Sequence, residues 1–222
     1  MLNTKLAVLG LGSRSTLFYL SELNRLYNNE KGDYSTCPFL LLNTNFNSIN
    51  TLLPNTSKQL DTVINGYIKE IEIFNAPYLL IPNITLHETI DRLDITTNVL
   101  HPISLSIKKI KENNWDKVVL FGSLFSMHAS YIKDQFLDNG IDVILPKEED
   151  MLFIDDVRKQ VYNETESVEC IEKYHNLTNI YSAKNPVVLS CTELSILKLK
   201  GNKKVLDMAD IQIEEAIKKA II

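Results

Sequence analysis

Two motif pairs recur along this chain at nearly the same spacing, and they restrict its architecture more than any other feature. "LAVLGLGSRST" (residues 6–16) and "KVVLFGSLFSM" (residues 117–127) each run from an apolar strand-like segment into Gly-Ser and a hydroxyl-rich helix start. "YLLIPNITLH" (residues 78–87) and "PVVLSCTELS" (residues 186–195) each run from a similar segment into a short polar turn. Asn83 stands 71 residues after Gly12, and Cys191 stands 69 residues after Gly122. Matched motifs at matched spacing imply two similar halves.

Between these motifs, short runs of Val, Ile and Leu alternate with longer amphipathic stretches, the pattern of parallel strands joined by crossover helices. Strands are expected near residues 6–9, 39–42, 78–81, 98–101, 117–121, 142–145, 187–189 and 204–206. Helices are expected over 15–28, 57–74, 103–113, 127–139, 151–162, 167–174 and 209–220. The fold class is therefore α/β, in two domains meeting near His101-Pro102. Residues 1–101 form the first, residues 102–207 the second, and the last helix, 208–222, is expected to return and pack on the first. In open parallel sheets a ligand sits beyond the carboxyl ends of the strands. If the halves face each other, Gly12, Ser13 and Asn83 line one wall of a cleft, and Gly122, Ser123 and Cys191 the other.

Composition narrows the function classes. Of 222 residues, 45% are hydrophobic and 23% charged, and the net charge of -5 is spread through well-mixed acids and bases. Nothing here offers a surface for nucleic acid or an anionic membrane. No segment approaches about 18 uninterrupted apolar residues, and the apolar stretch at the start is too short for a signal peptide, so a cytoplasmic protein is expected. Cys37, Cys170 and Cys191 are odd in number and widely spaced, with no CxxC pair, which argues against a disulfide framework and against a zinc site; no metal is expected.

Each Gly-Ser turn offers backbone N–H groups and hydroxyls at a helix start, fit either for a small carboxylate or for simple capping. "GLGSRS" lacks the third glycine of a dinucleotide fingerprint, and no phosphate-loop lysine follows either turn. Cys191 lies where a helix N-terminus would lower its pKa and favour thiolate, while Glu193 two residues on works against deprotonation. Such a thiol is poised to give or take a proton. "SCTE" is equally a plain helix start, with Ser190 or Thr192 as the cap.

"LGLGS", "IPNITLH", "LFGSLFSM", "PKEED", "LSCTEL" and "VLDMADIQIEEA" together resemble the aspartate/glutamate racemase family over nearly the whole chain. The resemblance implies two pseudo-symmetric Rossmann-like α/β domains with parallel sheets and an active-site cleft between them, in a homodimer that needs no cofactor. It further implies a two-base mechanism: one cysteine takes the α-proton of an amino acid, a second returns one, and preorganised donors around the carboxylate stabilise the carbanion. Cys191 matches the second cysteine, and Thr192 and Glu193 the residues after it. Gly12 and Ser13, and the segment from Ser123 to Ser126, match the carboxylate-binding loops, and Thr85 matches a threonine that lines the site.

The departures are as informative. Family members read Pro-Cys-Asn-Thr-Ala-His where this chain has Pro82-Asn83-Ile84-Thr85-Leu86-His87, so Asn83 replaces the first catalytic thiol and Ile84 a substrate-facing asparagine. An amide is no base near neutral pH. Where aspartate-specific relatives carry an arginine and a lysine for the side-chain carboxylate, this chain has asparagines, Ile49, Leu152 and Phe153, which points away from an acidic substrate. Arg14 is available in the first loop, Gln212 replaces a histidine of glutamate-type members, and His87 and His128 are alternative proton carriers.

Three readings follow: an amino-acid racemase or isomerase with Cys191 as its remaining thiol acid/base; a catalytically degenerate member that binds a small carboxylate; and a single-cysteine decarboxylase acting on malonate-type substrates.

Overall fold

A strand that is apolar at successive positions needs cover on both faces, which a parallel sheet flanked by helices supplies. The computed structural model describes residues 4–221. Its strands are β1 (Leu6–Gly10), β2 (Phe39–Asn43), β3 (Tyr78–Leu80), β4 (Asn98–Val99), β5 (Lys117–Phe121), β6 (Asp142–Ile144), β7 (Val187–Leu189) and β8 (Val205–Asp207). Its helices are α1 (Ser13–Lys31), α2 (Phe46–Asn50), α3 (Lys58–Glu72), α4 (His87–Ile90), α5 (Pro102–Glu112), α6 (Leu124–His128), α7 (Ser130–Leu137), α8 (Glu148–Tyr162), α9 (Val168–Lys184), α10 (Thr192–Ile196) and α11 (Met208–Ile221). β1 and β7 are buried throughout, and β5 everywhere but at Lys117.

The chain divides into two compact units, one holding residues up to His101 together with those from Gln212 onward, the other Pro102–Ile211. Each holds one four-stranded, wholly parallel sheet, ordered β2-β1-β3-β4 in the first and β6-β5-β7-β8 in the second. The two orders are identical once the second set of four strands is laid over the first. In each sheet the chain steps outward from its first strand on one side and then crosses to the other side. The connections therefore diverge at the carboxyl ends of β1 and β3, and of β5 and β7, which leaves a crevice at those ends.

Local chemistry explains the helices. Ser57 caps α3 by accepting from the Leu60 N–H at 3.1 Å, and Ser167 caps α9 by accepting from Cys170 at the same distance. On α3, Leu60, Ile64, Ile68 and Ile71 return every three or four residues and enter the core of the first unit with Leu9, Leu79 and Ile81. Met151, Ile154, Val157 and Val161 on α8 do the same in the second, against Phe121, Tyr174 and Val187. Ile49 is fully buried in the first core.

Two helices differ from the sequence reading. The single helix expected over residues 127–139 is two, because Ala129 is extended (φ -60°, ψ 148°) and the chain restarts at Ser130. The helix expected over 167–174 continues to Lys184 on its buried positions Thr178 and Ser182. The short helices α2, α4 and α10 span four or five residues, too few for an amphipathic period to register.

In the first unit, Gln212 is fully buried and bridges two elements: the Tyr19 hydroxyl donates to its Oε1 at 2.6 Å, and its Nε2 donates to the Leu100 carbonyl at 2.5 Å. Gln212 is thus a structural tie. Gln212→Ala removes both bonds inside the core, and denaturant unfolding should show a loss of about 2 to 4 kcal/mol; a loss below about 0.5 kcal/mol would mean the tie contributes nothing.

Candidate active site

The carboxyl ends of β5 and β7 lie side by side in the second unit, with Phe121 in register with Leu189. Ser190, the residue after β7, donates to the Phe121 carbonyl twice, from its N–H at 2.8 Å and its hydroxyl at 3.0 Å. Ser190 therefore fastens one strand end to the other and does not cap α10, as the sequence had allowed. Gly122 sits in the space left over: a Cβ there would lie 2.4 Å from both the Ser126 and the Ser190 hydroxyl oxygens. Beyond it, Ser123 caps α6 by accepting from the Ser126 N–H at 3.1 Å, and the two hydroxyls are 3.0 Å apart. The turn that leaves β5 is thus lined with the Ser123 and Ser126 hydroxyls, groups able to donate to a carboxylate.

Cys191 is the N-cap residue of α10, in extended conformation (φ -146°, ψ 125°), and makes no side-chain cap. Its thiol donates to Glu193 Oε2 at 2.9 Å. Thr192 is buried at the first position of the helix. Burial, then the Glu193 carboxylate, pushes the Cys191 thiol well above its ordinary pKa, and Arg158 opposes this without overcoming it. The expected lowering by a helix N-terminus is overridden. A five-residue helix has a small dipole, and the negative charge is in direct contact with the sulfur.

α8 supplies what the sequence reading missed. Asp155, only 6% exposed at its side chain, accepts from the Leu124 N–H at 3.0 Å, from Arg158 Nε at 2.8 Å and from Lys159 Nζ at 2.6 Å. Burial alone would raise this carboxyl, but the bonds from Lys159, Leu124 and Arg158 outweigh it and hold it below the usual range. The Arg158 guanidinium lies within electrostatic reach of both Cys191 and Glu193. Leu152 is half-exposed, and Phe153 carries the Lys173 ammonium 4.3 Å above its ring. "DDVRK" reads as an exposed charged face, and only the packing of α8 against α6 and α10 reveals that Asp155 is inside.

In the first unit the corresponding ends are those of β1 and β3. Gly12 is the N-cap residue of α1, its carbonyl accepting from Ser15 Oγ at 3.0 Å and from the Thr16 N–H at 2.9 Å. Ser13 is exposed and Arg14 half-buried in the first turn. Past β3, Asn83 Oδ1 accepts from the Leu86 N–H at 3.1 Å, and its main-chain oxygen lies 2.9 Å from His87 Nδ1. A carbonyl only accepts, so Nδ1 carries the proton. His87 is fully buried, and burial followed by the neighbouring His101 drives its pKa well below the ordinary value. It is a fixed neutral ring. Ile84 is buried, Thr85 is half-buried in the same turn, and His128 is exposed at the end of α6 in the second unit. The structure thus gathers Ser123, Ser126, Cys191, Thr192 and Glu193 in the second unit, and Gly12, Ser13, Asn83, Ile84 and Thr85 at the strand ends of the first.

Among the described residues no group of three or more His, Cys, Asp or Glu is placed to hold a metal ion, and no helix is long and apolar enough to cross a membrane. No protein-family model and no curated protein sequence matches the chain. Its fold has clear likenesses among solved structures. A Yersinia pestis protein provisionally described as an Asp/Glu racemase superposes with a TM-score of 0.85 at 19% identity, covering 99% of this chain and 100% of that one. An aspartate racemase homologue from Pyrococcus horikoshii gives 0.81 at 17%, over 99% and 100%. The aspartate racemase of Picrophilus torridus gives 0.78 at 18%, over 97% and 93%. At these identities the likeness establishes the two-sheet α/β fold.

The contact between Cys191 and Glu193 has a direct readout. Without the carboxylate the thiolate forms more readily, so Glu193→Gln should raise the rate at which iodoacetamide alkylates Cys191 near pH 8 by about tenfold, one pKa unit. Mass spectrometry of the Cys191 peptide separates it from Cys37, which burial holds near 11, and from Cys170. An unchanged rate would mean that burial alone sets the thiol.

Proposed function

We propose that this protein is a cofactor-independent amino-acid racemase or isomerase that moves a proton at Cα through Cys191. The observation that carries the reading is the thiol bonded to Glu193 at the carboxyl end of a central strand, beside a hydroxyl-lined turn suited to a carboxylate. The fold shared with proteins named as aspartate racemases supports it.

In the resting site the sulfur holds the proton and Glu193 accepts the hydrogen bond. To act as a base, Cys191 passes that proton to Glu193, and the thiolate then takes the proton of a substrate Cα. The Ser123 and Ser126 hydroxyls hold the carboxylate while negative charge spreads onto it. The reverse sequence returns a proton to carbon. Position 83 adds no second carrier, because the Asn83 oxygen is engaged by Leu86 and the remaining NH2 group can only donate. One thiol therefore serves one face of the substrate: Cα of one enantiomer exchanges its proton there, and inversion is completed only when a solvent proton reaches the opposite face of the carbanion. The substrate is an α-amino acid not restricted to acidic side chains, and the protein is proposed to act in the cytoplasm as a homodimer.

The same Asn83 geometry favours a second reading, in which the fold binds a small carboxylate without turnover. One experiment separates the two. Acidic and neutral amino acids are incubated in deuterated solvent and followed by proton NMR. The enzyme reading expects deuterium at Cα of one enantiomer of at least one amino acid, lost by a factor of about 100 or more in Cys191→Ala. No exchange with any amino acid, together with thermal stabilisation by a small carboxylate, would overturn it in favour of binding.

A further inference from the structure

A parallel sheet has two edges, and an edge strand offers unpaired main-chain donors and acceptors to any strand that can reach them. Among the described residues the four edges of the two sheets are not alike. β4 has only two residues, β6 begins at Asp142, 3.5 Å from the Lys117 ammonium, and β8 follows Lys203 and Lys204 and ends at Asp207. Shortness and charge blunt all three. β2, at the edge of the first unit's sheet, has five residues, Phe39–Asn43, with no charge and no proline among them. The surface beside it is apolar as well. Leu41 is 42% exposed, and Ile73 and Phe74, just past the end of α3, are 74% and 64% exposed. Together with Leu40, Leu42 and Ile71 they line a groove of about 390 Å³.

The main chain of β2 decides what fits this edge. The Thr44 N–H donates to the Gly10 carbonyl at 3.0 Å, just past the end of β2, which runs parallel to β1 with Leu41 beside Val8. Main-chain groups alternate in direction along a strand. Those of Leu40 and Leu42 therefore face β1 as Thr44 does, and the N–H and C=O of Phe39, Leu41 and Asn43 face outward. These three residues are symmetric about Leu41. An antiparallel copy of the strand, related by a two-fold axis at Leu41, sets Leu41 opposite its own counterpart and Phe39 opposite Asn43 on either side. Every outward donor then meets an outward acceptor. The same axis brings Ile73 and Phe74 of the two copies together over Leu40 and Leu42. On the other face, where Leu41 lies against Gly10, it brings the two Leu41 side chains together.

We propose that β2 is the surface through which two copies of this chain associate, with their first-unit sheets joined edge to edge. The area agrees. Leu41, Ile73 and Phe74 of two copies expose roughly 700 Å² between them, about the apolar share of an interface of ~1,200 Å², the lower end of stable size. An unrelated extended peptide added to β2 would satisfy the main chain and leave Ile73 and Phe74 in water, whereas a second copy brings its own Ile73 and Phe74 to cover them. The proposal gives the homodimer of the proposed function a surface and rests on none of that function's proton chemistry, so either can fail without the other.

Sedimentation equilibrium of the whole chain tests it. The unaltered protein should be dimeric at about 50 μM. Leu41→Lys and Leu41→Asp each place two like charges face to face on the axis, and each should raise the dissociation constant by about 100-fold or more. An equimolar mixture of the two variants sets opposite charges on the axis and should pair again. Val168→Lys, which charges a comparably exposed apolar residue of the second unit, should leave the dimer intact. Circular dichroism checks that each variant folds; should the Leu41 variants not, Phe74→Lys, outside the sheet, decides by loss of the dimer. Three outcomes would each overturn the proposal. A monomeric unaltered protein leaves the edge to a different partner, a dimer that survives both Leu41 charges lies on another face, and variants that stay apart when mixed deny the axis at Leu41. Cα exchange by a monomer keeps the enzyme and sinks this surface, whereas a dimer with the expected Leu41 response and no exchange does the reverse.

Discussion

Ser190 reaches the Phe121 carbonyl with both of its donors, and this pair of hydrogen bonds ties the carboxyl ends of the two central strands of the second unit together. Everything at the candidate site hangs from it. Because the strand ends are held side by side, the Ser123 turn and Cys191 emerge as neighbours. Because Gly122 has no side chain, the Ser126 and Ser190 hydroxyls close over the space its Cβ would take. A larger residue at 122 would have to push apart two groups that are already hydrogen-bonded, in an interior too dense to absorb the shift. The placement of the Cys191 thiol next to a hydroxyl-lined turn is thus a consequence of strand pairing, and no flexible loop is asked to hold it.

The electrostatics of the site are set by which effect wins at the sulfur. A helix N-terminus, a partial positive charge, favours thiolate, whereas burial and a carboxylate in contact favour thiol. α10 is short, and the Glu193 contact is direct, so the thiol keeps its proton. That state suits an acid. For the same pair to act as a base, the proton must shift by one hydrogen bond to Glu193. Behind it, Asp155 binds both the start of α6 and Arg158, so one buried carboxylate joins the Ser123 turn to α8.

Much of the fold was legible because it rests on local pattern. All eight strands lie within a residue or two of where the sequence pattern puts them, and the nearly equal spacing of the motif pairs reappears as two sheets of identical strand order. What was not legible depends on contacts between segments far apart in sequence. Asp155 and Arg158 are spaced like an ordinary surface ion pair, and nothing near them in the chain announces that α6 and α10 will cover them. Ser190 and Thr192 looked like caps because their residue types cap, but one is drawn to Phe121 and the other is buried. The break at Ala129 likewise has no breaker residue to signal it, since neither glycine nor proline lies between Ser123 and Asn139.

Asn83 shows how one side chain can shape the turn after a strand. A thiol at the end of β3 would contribute little to the local turn, because sulfur is a weak acceptor. An asparagine there is a good one, and it is used: its amide oxygen takes the Leu86 N–H, and its main-chain oxygen fixes the tautomer of a buried His87. Asn83→Cys would therefore introduce a thiol and remove the bond to the Leu86 N–H in the same step. For that reason the chemistry open to this chain is best understood from the second unit, where a thiol and the Glu193 carboxylate are in direct contact.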